Sequence, residues 1–132
     1  MTKEEIGIVQ RVFEKLEPRI LEASELFYEN LFRYHPNLRP LFKGNKEAQH
    51  QKFAQVLLVL IKSLDDQEGI KRELAQLGKK HVGYGVQNIH YDTVGAILLS
   101  TIKELLREDY TEEVDAAFIS LYNFISTNMV GH

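Results

Sequence analysis

Apolar residues return every three or four positions along most of this 132-residue chain, the spacing that gives a helix one buried face. In the first segment Ile6, Val9, Phe13 and Leu16 carry that spacing. Pro18 suits the first turn of a second helix. The stripe of that helix runs through Ile20, Ala23, Phe27 and Leu31 towards Tyr34. All three prolines, Pro18, Pro36 and Pro40, lie in the first third, so no proline limits a helix after Leu41. "HPNLRPLF", His35 to Phe42, reads as a turn-rich connector, and "KGN" after it as a loop. A third helix is expected from Lys46 to Leu64, with Phe53, Val56, Leu57, Leu60, Ile61 and Leu64 inward. "DDQEG" breaks it. A shorter helix follows from Ile70 to His81 or Val82, carrying Leu74 and Leu77. Two more are expected at Tyr91–Arg107 and Thr111–Met129. Thr111 suits a cap for the last, with Glu112 and Glu113 at its positive end. No segment alternates as a strand does, and no repeat or linker is visible. The expected class is all-α, one domain over 1–132.

Charge and composition narrow the chemistry. A net charge of −3 is unlike the basic footprint of a nucleic-acid binder. The chain has no cysteine, which excludes disulfides, thiolate catalysis, zinc fingers and thiolate iron–sulfur sites. "MTKEEIGIVQ" lacks the apolar stretch of a signal peptide. The longest aliphatic run, Val56 to Ile61, is far too short to span a bilayer. A soluble, cytoplasmic protein with neither a nucleic-acid nor a membrane partner is expected. His81, inside "LGKKHVGYGV", then stands out. A histidine after two lysines is usually a surface residue, and a lone histidine is weak as a metal motif.

The ordering of four motifs changes that reading. "LFYENLF" (Leu26–Phe32), "HPNLRPLF", "GKKH" (Gly78–His81) and "HYDTVG" (His90–Gly95) occur in one order across the chain. In that order and spacing the chain resembles the bacterial single-domain globins and the haem domain of the flavohaemoglobins. The resemblance implies a globin fold packed around haem b (iron protoporphyrin IX), with no reductase domain in this chain. It places His81 as the proximal iron ligand. Neutral imidazole binds iron through one ring nitrogen while the other donates to an acceptor that fixes its tautomer. Leu77 lies one turn back on the same face, where it can pack under the porphyrin. Val86 and Tyr91 match haem-wall and proximal positions, and Phe42 matches an aromatic wedge against the porphyrin.

The same resemblance makes Tyr28 the distal tyrosine facing bound ligand. In "QHQKF" two registers compete. Gln49 and Phe53 share one helical face, whereas His50 pairs with Ala54. Phe53 starts the buried stripe, so Gln49 is preferred as the distal polar residue, in agreement with related bacterial globins. His50 is then expected beside the pocket, the main candidate for a competing sixth ligand on iron. Lys52 is the preferred partner for a haem propionate; Lys79 and Lys80 are expected to be exposed. No role is assigned to His35 or His132.

Dioxygen, nitric oxide and carbon monoxide are the implied ligands. Oxygen on ferrous haem carries partial negative charge, and Tyr28 and Gln49 could both donate to it. Two such bonds, at about 1.5–3 kcal/mol each, would slow oxygen release by roughly two to four orders of magnitude. Slow release suits storage or a reaction on bound oxygen better than delivery. The family reaction is nitric oxide dioxygenation to nitrate, which leaves ferric haem and needs an electron from a separate reductase here. The family's last-helix carboxylate, which polarises the proximal histidine, falls just past His132. Its loss leaves Tyr91 as the polar group near His81 and puts efficient catalysis in doubt. The alternatives are a gas sensor read out by a partner and a cofactor-free helical interaction domain, which would be colourless.

Overall fold

The computed structural model describes residues 1–130; His132 lies outside them. Its helices are α1 (Lys3–Leu16), α2 (Ile20–Tyr34), α3 (Lys46–Lys62), α4 (Gln67–Gly83), α5 (Asn88–Leu106) and α6 (Glu112–Val130). Short 3-10 turns at Glu17–Arg19, Pro36–Leu41 and Arg107–Asp109 join some of them. No strand occurs among the described residues, so the expected all-α class holds.

Local chemistry sets the helix starts. Thr2 and Glu5 form a reciprocal cap on α1: the Thr2 hydroxyl accepts from the Glu5 N–H at 3.1 Å, and the Glu5 carboxylate accepts from the Thr2 N–H at 2.8 Å. Asn45 caps α3 through the Ala48 N–H at 3.0 Å. Two helices begin three residues earlier than the apolar spacing indicates. Asp66 accepts from the Gly69 N–H at 3.2 Å, which draws Gln67 to Gly69 into α4 rather than leaving them in the break. His90 Nδ1 accepts from the Gln87 N–H at 2.9 Å, so α5 begins at Asn88 rather than Tyr91. The expected Thr111 cap is present, accepting from the Val114 N–H at 3.3 Å. Pro18 sits in a 3-10 turn that leads into α2 rather than in its first α-turn.

The main packed pairs are α1 with α6, α4 with α6, α2 with α3, and α2 with α5. The largest core joins Val9, Phe13 and Leu16 to Ile61 and Leu64, and to Val114, Phe118 and Leu121. A second apolar cluster gathers Phe27, Tyr28, Leu31, Leu38 and Ile97. A third gathers Leu60, Ile70, Leu74 and Met129. Two expected inward residues face out: Tyr34 is 64% exposed at the last residue of α2, and Val56 is 37% exposed. In α3 the buried positions are His50, Ala54, Leu60 and Ile61, which turns Val56 towards solvent.

Polar side chains pin the crossings. The Ser24 hydroxyl donates to the His50 carbonyl at 2.7 Å, tying α2 to α3. Asn30 donates to the Thr101 hydroxyl at 3.1 Å, and Thr101 donates to the Ile97 carbonyl at 2.8 Å, tying α2 to α5. The three buried side chains Ser24, Asn30 and Thr101 are thus each hydrogen-bonded, the usual condition for a stable interior. Gly78 is where α4 meets α6: a Cβ there would stand 2.1 Å from the Met129 carbonyl oxygen.

That contact predicts opposite outcomes for two glycines. Gly78→Ala must separate α4 from α6 and should cost about 1–3 kcal/mol in urea unfolding, the range for overpacking. Gly7→Ala, in α1 with nothing near its Cβ position, should stabilise by about 0.5–1 kcal/mol.

Candidate functional site

His81 lies in the last turn of α4, three residues after the Gly78 contact. Its Nδ1 is 2.7 Å from the Leu77 carbonyl oxygen. A carbonyl only accepts, so the proton is on Nδ1 and the Nε2 lone pair is left free. The His81 carbonyl accepts from the Tyr84 and Val86 N–H groups, both at 3.0 Å, which closes the end of α4. Tyr84 and Tyr91 flank it with ring centroids at 6.2 and 6.4 Å. Leu77 and Tyr91 pack on the cluster of Leu60, Ile70, Leu74 and Met129. Tyr91 is itself tied down, because the Tyr122 hydroxyl donates to its carbonyl. Gly95 permits that approach of α5 to α6: a Cβ there would sit 2.3 Å from the Tyr122 ring.

Tyr28 centres a second, aromatic group. Phe27 and Phe42 meet its ring edge-on at 5.1 and 5.5 Å, and Phe53 does so at 5.6 Å. His50 stacks on it at 4.7 Å with 22° between planes. His50 and Ala54 form the face of α3 buried against α2, which leaves Gln49 and Phe53 half-buried on the adjoining face. Gln49 donates through Nε2 to the Lys43 carbonyl in the loop before α3 and makes no bond to Tyr28. Burial pushes the Tyr28 hydroxyl up to about 12, so it is a neutral hydrogen-bond donor at physiological pH.

The two groups belong to separate apolar clusters, and α3 and α4 are not among the main packed pairs. Phe42, Phe53, Val94 and Leu98 on one side and Leu77, Val86 and Tyr91 on the other are all half-buried. Both groups therefore leave apolar side chains partly open to solvent. Lys52, Lys79 and Lys80 are exposed and form no ion pair among the described residues. The apolar spacing alone does not single out Ser24, Gly78 and Gly95. Gly78 and Gly95 are visible in the sequence only as members of the "GKKH" and "HYDTVG" motifs. The His50 stack has no linear signal, since it depends on how α2 and α3 cross.

A family profile for globins matches residues 25–129. A flavohaemoprotein of Vibrio cholerae is 26% identical over 96% of this chain and 33% of its own length. The chain therefore spans about a third of the flavohaemoproteins it matches. An uncharacterised globin-like protein of Aquifex aeolicus is 27% identical over 98% of this chain and 92% of its own. Among solved structures, a bacterial globin from Campylobacter jejuni has a TM-score of 0.85 at 28% identity, covering 98% of this chain and 94% of that one. An engineered carbene transferase from Rhodothermus marinus, which carries a nitric oxide dioxygenase name, also has a TM-score of 0.85 at 28% identity, over 96% and 88%.

Burial of Tyr28 has a consequence for alkaline stability. Its folded-state value is raised above that of the unfolded chain. The stabilisation it carries is complete below about pH 10 and is lost as pH rises through about 12. Tyr28→Phe should make the urea midpoint fall less steeply between pH 10 and 12 than in wild type; parallel curves would mean the hydroxyl is not desolvated.

Proposed function

The chain belongs to the globin family, and on that premise we propose that residues 1–132 are one haem-binding domain that holds a diatomic gas between His81 and Tyr28. The observation that carries the reading is the Leu77 carbonyl at His81 Nδ1, which leaves Nε2 as the one nitrogen able to meet a metal. Among the described residues no three His, Cys, Asp or Glu side chains gather to hold an ion. A single histidine beside the half-buried apolar side chains of Leu77, Val86 and Tyr91 fits a metal whose other ligands come with it, as in haem b.

Bound there, haem iron supplies the centre that takes dioxygen, nitric oxide or carbon monoxide. The chain's own residues do the rest. Leu77, Val86 and Tyr91 would hold the haem on the His81 side, and Phe42 and Phe53 on the Tyr28 side. Lys52 suits a propionate, with Lys79 and Lys80 as further cations. The Leu77 bond raises the donor strength of His81. Tyr28 keeps its proton and donates it in a hydrogen bond to a ligand atom that gathers negative charge. Gln49 becomes a second donor by exchanging the Lys43 carbonyl for the ligand. His50, committed to its stack on Tyr28, reaches the metal only by breaking that stack.

Slow oxygen release is the property this arrangement favours, and storage or reaction of held oxygen the role. Nitric oxide dioxygenation with electrons from a separate reductase is the second reading, supported by the flavohaemoprotein relatives and the Rhodothermus marinus structure. Nitrate formed over many turnovers with an added electron donor distinguishes it from storage. For oxygen itself, stopped-flow release from haem-loaded protein should be roughly ten- to a hundredfold faster in Tyr28→Phe than in wild type, the value of one hydrogen bond to a charged acceptor. Equal rates would remove Tyr28 from the site.

A further inference from the structure

Among the described residues four polar side chains are buried: Ser24, Asn30, His50 and Thr101. Three of them are held by side-chain hydrogen bonds. The fourth, His50, is only 7% exposed, yet its ring makes no hydrogen bond among the described residues. No side-chain nitrogen or oxygen there is both fully enclosed and unpaired. The His50 nitrogens therefore keep a narrow opening to solvent at the edge of an otherwise covered ring. A buried polar side chain without a bond of its own calls for a reason.

The covered face lies on Tyr28. Phe27, Phe42 and Phe53 meet the Tyr28 ring at 67°, 85° and 70°, and Phe32 is tilted by 34° at 6.0 Å. His50 lies nearest to parallel, 22° at 4.7 Å. An edge-on neighbour touches a ring along a line, whereas a parallel one covers its face. Any turn of Tyr28 about its Cβ–Cγ bond drives a ring edge into the plane of His50. The imidazole cannot easily give way, because its backbone is tied to the same helix. The Ser24 hydroxyl donates to the His50 carbonyl at 2.7 Å, and Ser24 and Tyr28 are four residues apart on one face of α2. His50 thus meets α2 twice in adjacent turns, once through its carbonyl and once through its ring.

We propose that His50 is a positioning residue: its ring, anchored through Ser24 and stacked on Tyr28, fixes the direction of the Tyr28 hydroxyl and so sets how long a diatomic gas is held. The role rests on the gas-binding reading above; the restraint on Tyr28 does not. The proposal differs in its consequences from a competing iron ligand at His50. Removing a competitor speeds gas binding and leaves release alone. Removing a positioning residue speeds release, because a hydroxyl free to turn spends less time aimed at the ligand.

The restraint is tested on the haem-free chain by NMR with ring-labelled tyrosine, the Tyr28 signals being those lost in Tyr28→Phe. The two edges of the Tyr28 ring should exchange faster in His50→Ala than in wild type, and at the wild-type rate in His50→Phe, which keeps a flat ring without nitrogens. Exchange unchanged in His50→Ala overturns the proposal. If that variant fails to fold, a Tyr28 ring in wild type that turns as freely as exposed Tyr34 overturns it as well. With haem loaded, stopped-flow oxygen release should be roughly three- to tenfold faster in His50→Ala, part of the value of one hydrogen bond to a charged acceptor. His50→Phe should restore the wild-type rate. In a Tyr28→Phe background His50→Ala should add nothing. The same acceleration in both backgrounds, or a Phe variant that behaves as Ala does, overturns action through the Tyr28 hydroxyl. A chain that takes up no haem removes the function proposed above, while the NMR result still decides whether His50 restrains Tyr28.

Discussion

One hydrogen bond governs the chemistry this molecule can offer. The Leu77 carbonyl, the acceptor one turn back in α4, holds the proton of His81 on Nδ1 and thereby leaves Nε2 a lone-pair donor. That bond requires a regular last turn of α4. The turn is held in place by the backbone of α6, which comes so close at Met129 that only glycine fits at position 78. The helix end is closed by the Tyr84 and Val86 N–H groups on the His81 carbonyl. Packing, helix geometry and tautomer are thus three consequences of one close approach.

The opposite wall is built differently. Tyr28 has no comparable backbone partner; its ring is fixed by Phe27, Phe42, Phe53 and His50. The surrounding rings restrict where the hydroxyl points, and burial raises its pKa. The enclosure itself depends on Ser24, whose hydroxyl ties α2 to the His50 carbonyl and allows α3 to lie close. The His81 side therefore offers a lone pair and the Tyr28 side a proton; Leu77 and Tyr91 pack on the core of the first, and Phe42, Phe53, Val94 and Leu98 on that of the second.

Much of this was legible in the sequence, for identifiable reasons. The buried face of α1 follows from Ile6, Val9, Phe13 and Leu16 because a long amphipathic helix repeats one signal many times. Helix starts were less legible. Asp66 and His90 act through side-chain bonds to the backbone, and these move a boundary without disturbing the apolar spacing. Tyr34 and Val56 turn outward because each sits at the margin of an apolar stripe, where the neighbouring helix decides. The motif order identified the family, but the surroundings of Tyr28 depend on a helix crossing. Gln49 and His50 are adjacent in sequence, yet one turns to the Lys43 carbonyl and the other into the Tyr28 stack. No linear pattern carries that difference.

The central claim, that His81 Nε2 is the protein's ligand to haem iron, is tested most directly by removing the ring and returning it in solution. His81→Gly, loaded with haem and reduced, should lose the wild-type absorption spectrum and regain it as free imidazole is added, because the added ring can occupy the space the side chain leaves. A His81→Gly protein whose ferrous spectrum already matches wild type, with no response to imidazole, would contradict the account.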